Sequence, residues 1–182
     1  IETIPIEEII EFHYDLDILW DRIDHFDEEG LVMAAIVPTK RQIILNESCK
    51  DLFLEKMGTM YFTLAHELGH WVLHADKYEG LMLKCSPFYC RSYNKKPAVE
   101  IQADMFAGCL LMPKSVISRV IKQYKWQGSI HMPHLYDIAE LFQVSISALK
   151  VRLEQLNLLY IDENGEISYA KDAVYEQLTL DI

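Results

Sequence analysis

Three residues with chemical potential stand close together in this chain: His66, Glu67 and His70, within TLAHELGHWVLH at 63–74. In a helix, four residues rise about 6 Å and return to nearly the same face, so the two imidazoles form a grip for one metal ion. Glu67 lies about 100° round the helix, off the plane of the imidazoles but close enough to hold a water on the metal. The pattern divides into two ligands and a general base. Zinc suits it, because imidazole and carboxylate donors at about 2.0–2.2 Å satisfy that ion and a three-ligand site keeps one position for water. Such a water ionises near neutral pH, and a carboxylate beside it can take the proton and drive attack on a peptide carbonyl.

The third ligand has to come from elsewhere. His74 continues the four-residue spacing, but it would stand about 12 Å from His66 along a straight helix, too far to share one ion. No Gly or Pro lies between His70 and His74 to break that helix. His74 is therefore expected beside the ligands, lining the pocket or closing the helix end. Glu100 and Asp104 are better placed, because on a second helix, running into the apolar stretch MFAGCLLM at 105–112, they share a face. We assign Glu100 as the third metal ligand and Asp104 as the carboxylate that accepts the outer N–H of a ligating histidine. Phe62, Leu64, Ala65, Leu68, Val72 and Leu73 are expected to surround the polar triad with apolar groups. Imidazoles buried there need a partner, which a metal supplies.

The segments TLAHELGHWVLH (63–74) and EIQADMFAGCLLMP (100–113), at this separation, resemble the ImmA/IrrE family of metallopeptidases, and a looser likeness runs from Pro5 to about Tyr160. The resemblance implies a zinc-dependent bacterial or phage protease that cuts a helix-turn-helix repressor and so releases stress-response or mobile-element genes. It implies histidine ligands at His66 and His70, the catalytic acid at Glu67 and the carboxylate ligand at Glu100. Tyr61 departs from the resemblance, which leads one to expect an arginine just before Phe62–Thr63.

At 182 residues, about half of them apolar, the chain is long enough for one domain with a sizeable core and a small appendage. Its longest apolar run, LVMAAIV at 31–37, is strand-sized and far short of the roughly 18 residues that span a bilayer. Of four cysteines, Cys109 reads as core, and Cys85 and Cys90 share a loop, where unpaired cytoplasmic thiols are the expectation. The net charge of −11 is uneven: residues 1–29 carry −10, 30–130 carry +5 and 131–182 carry −6.

The elements that must hold the site follow from the patterning. A short helix from Pro5, an alternating strand over 14–20, and a hairpin of 31–37 and 42–46 across PTKR suggest a small antiparallel sheet packed on the metal-bearing helix. Residues 75–99, rich in bases and tyrosines, are expected to form a lid carrying an oxyanion-stabilising tyrosine. After Pro113 a helix runs to Gly128. LYDIAELF, QVS and ISALKVRLEQL then read as a helix-turn-helix, and LLYIDENGEISY as a hairpin turning at Asn164 and Gly165. The fold class is α+β, with a zincin-like core over 1–130 and a segment resembling a winged helix-turn-helix over 131–182. Direct DNA binding is not expected of that segment, since its second helix offers only Lys150 and Arg152 in an acidic setting. The expected partner is a protein substrate, a basic DNA-binding repressor drawn to the acidic ends. The rival reading is a non-enzymatic regulator of toxin–antitoxin or repressor-binding type, with a structural or vestigial metal site. Glu67 weighs against it, because a structural site needs no base.

Overall fold

In a computed structural model of the chain, residues 3–26, 32–74, 83–85, 97–162 and 164–169 are described. Contacts divide the chain into two units, Glu2–Leu111 and Met112–Ile182. The sequence-based boundary after residue 130 falls inside the second.

In the first unit, Pro5 precedes helix α1 (Ile6–Glu8), which continues as a π-helical turn over Ile9–His13 and buries Ile6 and Ile10. Strands β1 (Asp17–Asp21), β2 (Ala34–Val37) and β3 (Gln42–Asn46) follow. Pro38 starts the turn between β2 and β3, and Arg41 ends it in the left-handed region at φ 55°. β2 and β3 form the expected antiparallel hairpin. β1, however, pairs with β3 in parallel, so the sheet is mixed rather than antiparallel. Alternation decides which side chains share a face, not the direction of a neighbouring strand. Direction is set here at Arg41, whose carbonyl accepts the Asp17 N–H at 2.9 Å and whose Nε donates to the Asp15 carbonyl at 3.0 Å, so both strands start from one point. A short β4 (Leu83–Cys85), antiparallel to β2, completes the order β1-β3-β2-β4.

Ala35 and Ile44 pack with Ile23 and Val32, while Ala34, Ile36, Ile43 and Leu45 are buried. The end of β3 is held by a fully buried Asn46. Its Nδ2 donates to Asp24 Oδ1 at 2.8 Å and to the Val32 carbonyl at 2.7 Å, and its Oδ1 accepts the Ser48 N–H at 3.0 Å.

After α2 (Lys50–Glu55) comes the central helix α3 (Met57–His74), which packs against β2. Every residue from Thr63 to His70 is buried, so α3 is a core element with its polar groups inside. Val72 and Leu73, expected to shield the site, are each 41 % exposed. Helix α4 (Ala98–Leu111) buries Ala103, Ala107, Gly108 and Leu111 at helical spacing. Met105 and Cys109 fall on the opposite side and are exposed, so Cys109 is not the core residue its apolar run suggests.

In the second unit, α5 (Lys114–Gln127) begins after Pro113 and ends at Gly128, whose φ of 143° favours glycine. Helices α6 (Met132–Leu141) and α7 (Ile146–Gln155) match the expected pair, with the Ser145 hydroxyl accepting the Ala148 N–H at 3.2 Å as N-cap. β5 (Tyr160–Ile161) and β6 (Ile167–Ser168) form the hairpin. Arg152 is buried, its Nε donating to the Met112 carbonyl at 3.1 Å. No described helix is long and apolar enough to cross a membrane. Of the expected lid, residues 75–82 and 86–96, with Cys90, lie outside the described residues, while 83–85 form β4 and Ala98 already begins α4.

Candidate metal centre

The site is built where α3 and α4 approach each other. Gly69 makes that approach possible, since a Cβ there would lie 3.2 Å from the Ala103 Cα and carbonyl oxygen and from the Phe106 Cβ. With Ala103 and Ala107 also small, the α4 backbone comes close enough for a carboxylate of modest reach to meet the histidines of α3.

Side chains from the two helices then converge. His66 Nε2 and His70 Nε2 are 3.0 Å apart, and the Glu100 carboxylate spans them, with Oε2 3.2 Å from His66 Nε2 and Oε1 3.2 Å from His70 Nε2. One donor atom from each residue lies within 4.8 Å of the others. A tetrahedral ion bound at about 2.0–2.2 Å spaces its donors by about 3.3–3.6 Å. The His66–His70 separation and the nearest carboxylate oxygen to each ring are within a few tenths of an ångström of that, so these residues fit a metal of this kind. Both histidines are buried and Glu100 nearly so. Burial pushes the Glu100 carboxyl up, but hydrogen bonds to His66 and His70 and their positive charge outweigh it and hold the carboxyl at about 2. The carboxylate thus stays ionised, as a ligand must.

Asp104, one turn along α4 from Glu100, places Oδ1 2.8 Å from His66 Nδ1, on the side of the ring away from the triangle. Glu67 is fully buried on α3, next in sequence to His66. His74 is also buried, with its Nδ1 3.1 Å from His70 Nδ1. All six residues singled out in the sequence therefore fall in one region of α3 and α4. One participant was missed: Gln102, whose Oε1 lies 2.9 Å from His74 Nε2. It sits about 200° round α4 from Glu100, off the Glu100–Asp104 face, and reaches His74 only because its side chain is long. No periodicity marks it. The tyrosines expected to assist from the lid lie outside the described residues.

Residues 22–154 match the family model Peptidase_M78, described as the IrrE N-terminal-like domain. No curated protein matches the chain.

Proposed function

We propose that this chain, which belongs to the Peptidase_M78 family of IrrE N-terminal-like domains, is a zinc-dependent endopeptidase acting on a specific protein substrate. The observation that carries the reading is the donor group of His66, His70 and Glu100, delivered by two helices, with the buried Glu67 next in sequence to His66. Zinc bound there supplies Lewis acidity, which acidifies water in the remaining position and polarises a carbonyl.

The chain's own residues do the rest. Glu67 takes the proton of the attacking water and returns it to the leaving amine. Asp104 accepts the Nδ1–H of His66, which turns the bare Nε2 inward and fixes the ring. Among the described residues β4 lies at the edge of the sheet and against α3, where an extended substrate segment can add as a further strand and be held by its backbone. Selection then favours looped or unfolded segments over regular structure.

The substrate is a helix-turn-helix repressor in the same cytoplasm, and its cleavage releases stress-response or mobile-element genes. Two features support this: the resemblance carried by the paired motifs, and the acidic ends of the chain, which suit a basic DNA-binding protein. The second unit serves the protease rather than reading DNA, since one of the two bases on α7, Arg152, is committed to the Met112 carbonyl.

The test mixes the chain with a helix-turn-helix repressor encoded beside it and compares Glu67→Gln. The variant should keep its zinc and lose cleavage by a factor on the order of 10²–10⁴. Equal cleavage by both proteins would remove Glu67 from the mechanism.

A further inference from the structure

We propose that the outer edge of β1 is a docking site for a basic, extended segment of a partner protein, in which two lysines or arginines flank an apolar residue. Identifying that partner with the repressor substrate rests on the metallopeptidase reading, whereas the edge itself makes no use of the metal centre.

Among the described residues β1 and β4 are the outermost strands of the sheet, with β3 and β2 between them. The Asp17 N–H donates inward, to the Arg41 carbonyl at 2.9 Å. Backbone groups alternate sides along a strand, so those of Leu19 and Asp21 also face β3, while the N–H and C=O of Ile18 and Trp20 face outward. Folded proteins commonly blunt such an edge with Lys, Pro or a bulge. β1 has none of these. Its sequence is DILWD, its register with β3 runs unbroken from Asp17–Gln42 to Asp21–Asn46, and Leu19 and Trp20 are 42 % and 37 % exposed. Trp20 is steadied by an edge-to-face contact with Phe53, centroids 6.0 Å apart, and by the Lys50 Nζ 5.5 Å over its ring. The strand is thus an ordered, apolar template whose only guard is a pair of acids.

Those acids select the occupant. Asp17, Leu19 and Asp21 share one face of the strand. The bases that flank it are matched elsewhere, Arg41 with Asp15 at 3.4 Å and Arg22 with Glu47 at 3.9 Å. Asp21 Oδ1 accepts the Arg22 N–H at 2.8 Å, which orients the carboxylate and leaves its charge in place. A second copy of β1 pairing antiparallel about Leu19 would set each Asp17 opposite the other's Asp21, and like charges directly opposite are destabilising. A segment with bases two residues either side of an apolar one would set both bases opposite Asp17 and Asp21. These are the non-hydrogen-bonded positions, where opposed Cα atoms are only about 4.5 Å apart. The two residues in between would exchange backbone hydrogen bonds with Ile18 and Trp20. β4, the edge proposed above for the segment that is cut, is three strand spacings away, about 14 Å. The edge at β1 therefore anchors a different part of the same substrate.

The test uses the full chain, labelled with 15N, and titrates it with an extended peptide that carries lysines two residues either side of a central valine, with threonines between. Followed by 1H–15N correlation, the backbone amide signals of Ile18 and Trp20 should move downfield, as new hydrogen bonds move them, and that of Leu19 less. Glutamates in place of the lysines should weaken binding about tenfold, and N-methylation of the two threonines should abolish it. In the double variant Asp17→Lys, Asp21→Lys the preference should invert, with zinc affinity and circular dichroism unchanged. The proposal is overturned if wild type binds neither peptide or both equally, if binding survives N-methylation, or if the double variant still prefers lysines. A wild-type chain that dimerises in sedimentation, and loses the dimer in that variant, would give the edge to a second copy and overturn it too. A repressor cut equally well by wild type and double variant, with no peptide bound, would leave the peptidase reading intact and remove the docking site. Lysine-peptide binding at Ile18 and Trp20 by a zinc-loaded chain that cuts no repressor would do the reverse.

Discussion

Glu100 is pulled in two directions, and the outcome is measurable without any substrate. Burial favours its neutral form, yet its hydrogen bonds to His66 and His70 hold the folded carboxyl at about 2, against an ordinary 4.5. Between those values the folded chain binds fewer protons than the unfolded one, so stability rises with pH across that window. The contribution is present in full above about 4.5 and is lost as pH falls through about 2. Urea denaturation of metal-free protein at a series of pH values should therefore show the largest gap between wild type and Glu100→Gln above pH 4.5, closing toward pH 2. A gap that ignores pH would mean the carboxyl titrates normally. At this scale the sequence was highly legible. Four-residue spacing placed His66 with His70 and Glu100 with Asp104, because the helix period converts spacing directly into a shared face. Gln102 escaped for the same reason: it is off that face, and a long side chain reaching round a helix leaves no periodic trace.

At the level of elements, Gly69 explains why α3 and α4 can meet at all. Replacing it by Ala sets two effects against each other. Helix propensity gains about 1 kcal/mol, while crowding against the Ala103 backbone at 3.2 Å costs about 1–3 kcal/mol, since a backbone cannot rotate away. We expect Gly69→Ala to lose up to about 2 kcal/mol of stability by chemical denaturation and, more tellingly, to weaken zinc binding as α4 is pushed out with Glu100 and Asp104. Stability reduced with zinc affinity unchanged would separate the packing of the helices from the geometry of the site. Asn46 is the corresponding hinge pin of the sheet. Asn46→Ala removes two donated bonds and one accepted bond from a buried position, and leaves the Val32 carbonyl and Ser48 N–H without that partner. A loss on the order of 2–3 kcal/mol of unfolding free energy, read by urea denaturation, is expected, with zinc affinity little changed. Such features explain what the sequence did not show. The hairpin of β2 and β3 was readable from alternation around Pro38, but the parallel pairing of β1 depends on Arg41 binding the carbonyls of Tyr14 and Asp15, a contact over 26 residues that no local pattern encodes. Cys109 was misplaced because an apolar run says that a helix is buried, not which of its faces.

For the molecule as a whole, the order of elements was legible where turn residues punctuate it, as at Pro113, Gly128, Ser145 and Gly165, and the α6–α7 pair with its hairpin followed the sequence closely. The division at Leu111 was not legible, because Pro113 ends α4 without announcing that the next helix belongs to another unit. Charge is the remaining whole-chain property with a functional consequence. Residues 1–29 carry −10, and Glu7, Glu8 and Glu11 within them are solvent-exposed, so their field reaches a partner across about 8–10 Å at physiological salt. A basic repressor would be drawn in faster than a neutral one, an effect on association that falls steeply as salt rises. Cleavage of such a substrate under kcat/KM conditions should therefore slow by roughly tenfold between low and high ionic strength. The triple variant Glu7→Gln, Glu8→Gln, Glu11→Gln should start slower and show a shallower salt dependence, with zinc affinity and saturated turnover unchanged, because none of the three lies at the metal centre. If the wild-type rate is flat across the salt series, the acidic ends play no part in choosing the substrate. Recognition would then have to come from short-range contacts, which depend far less on salt than a steering field.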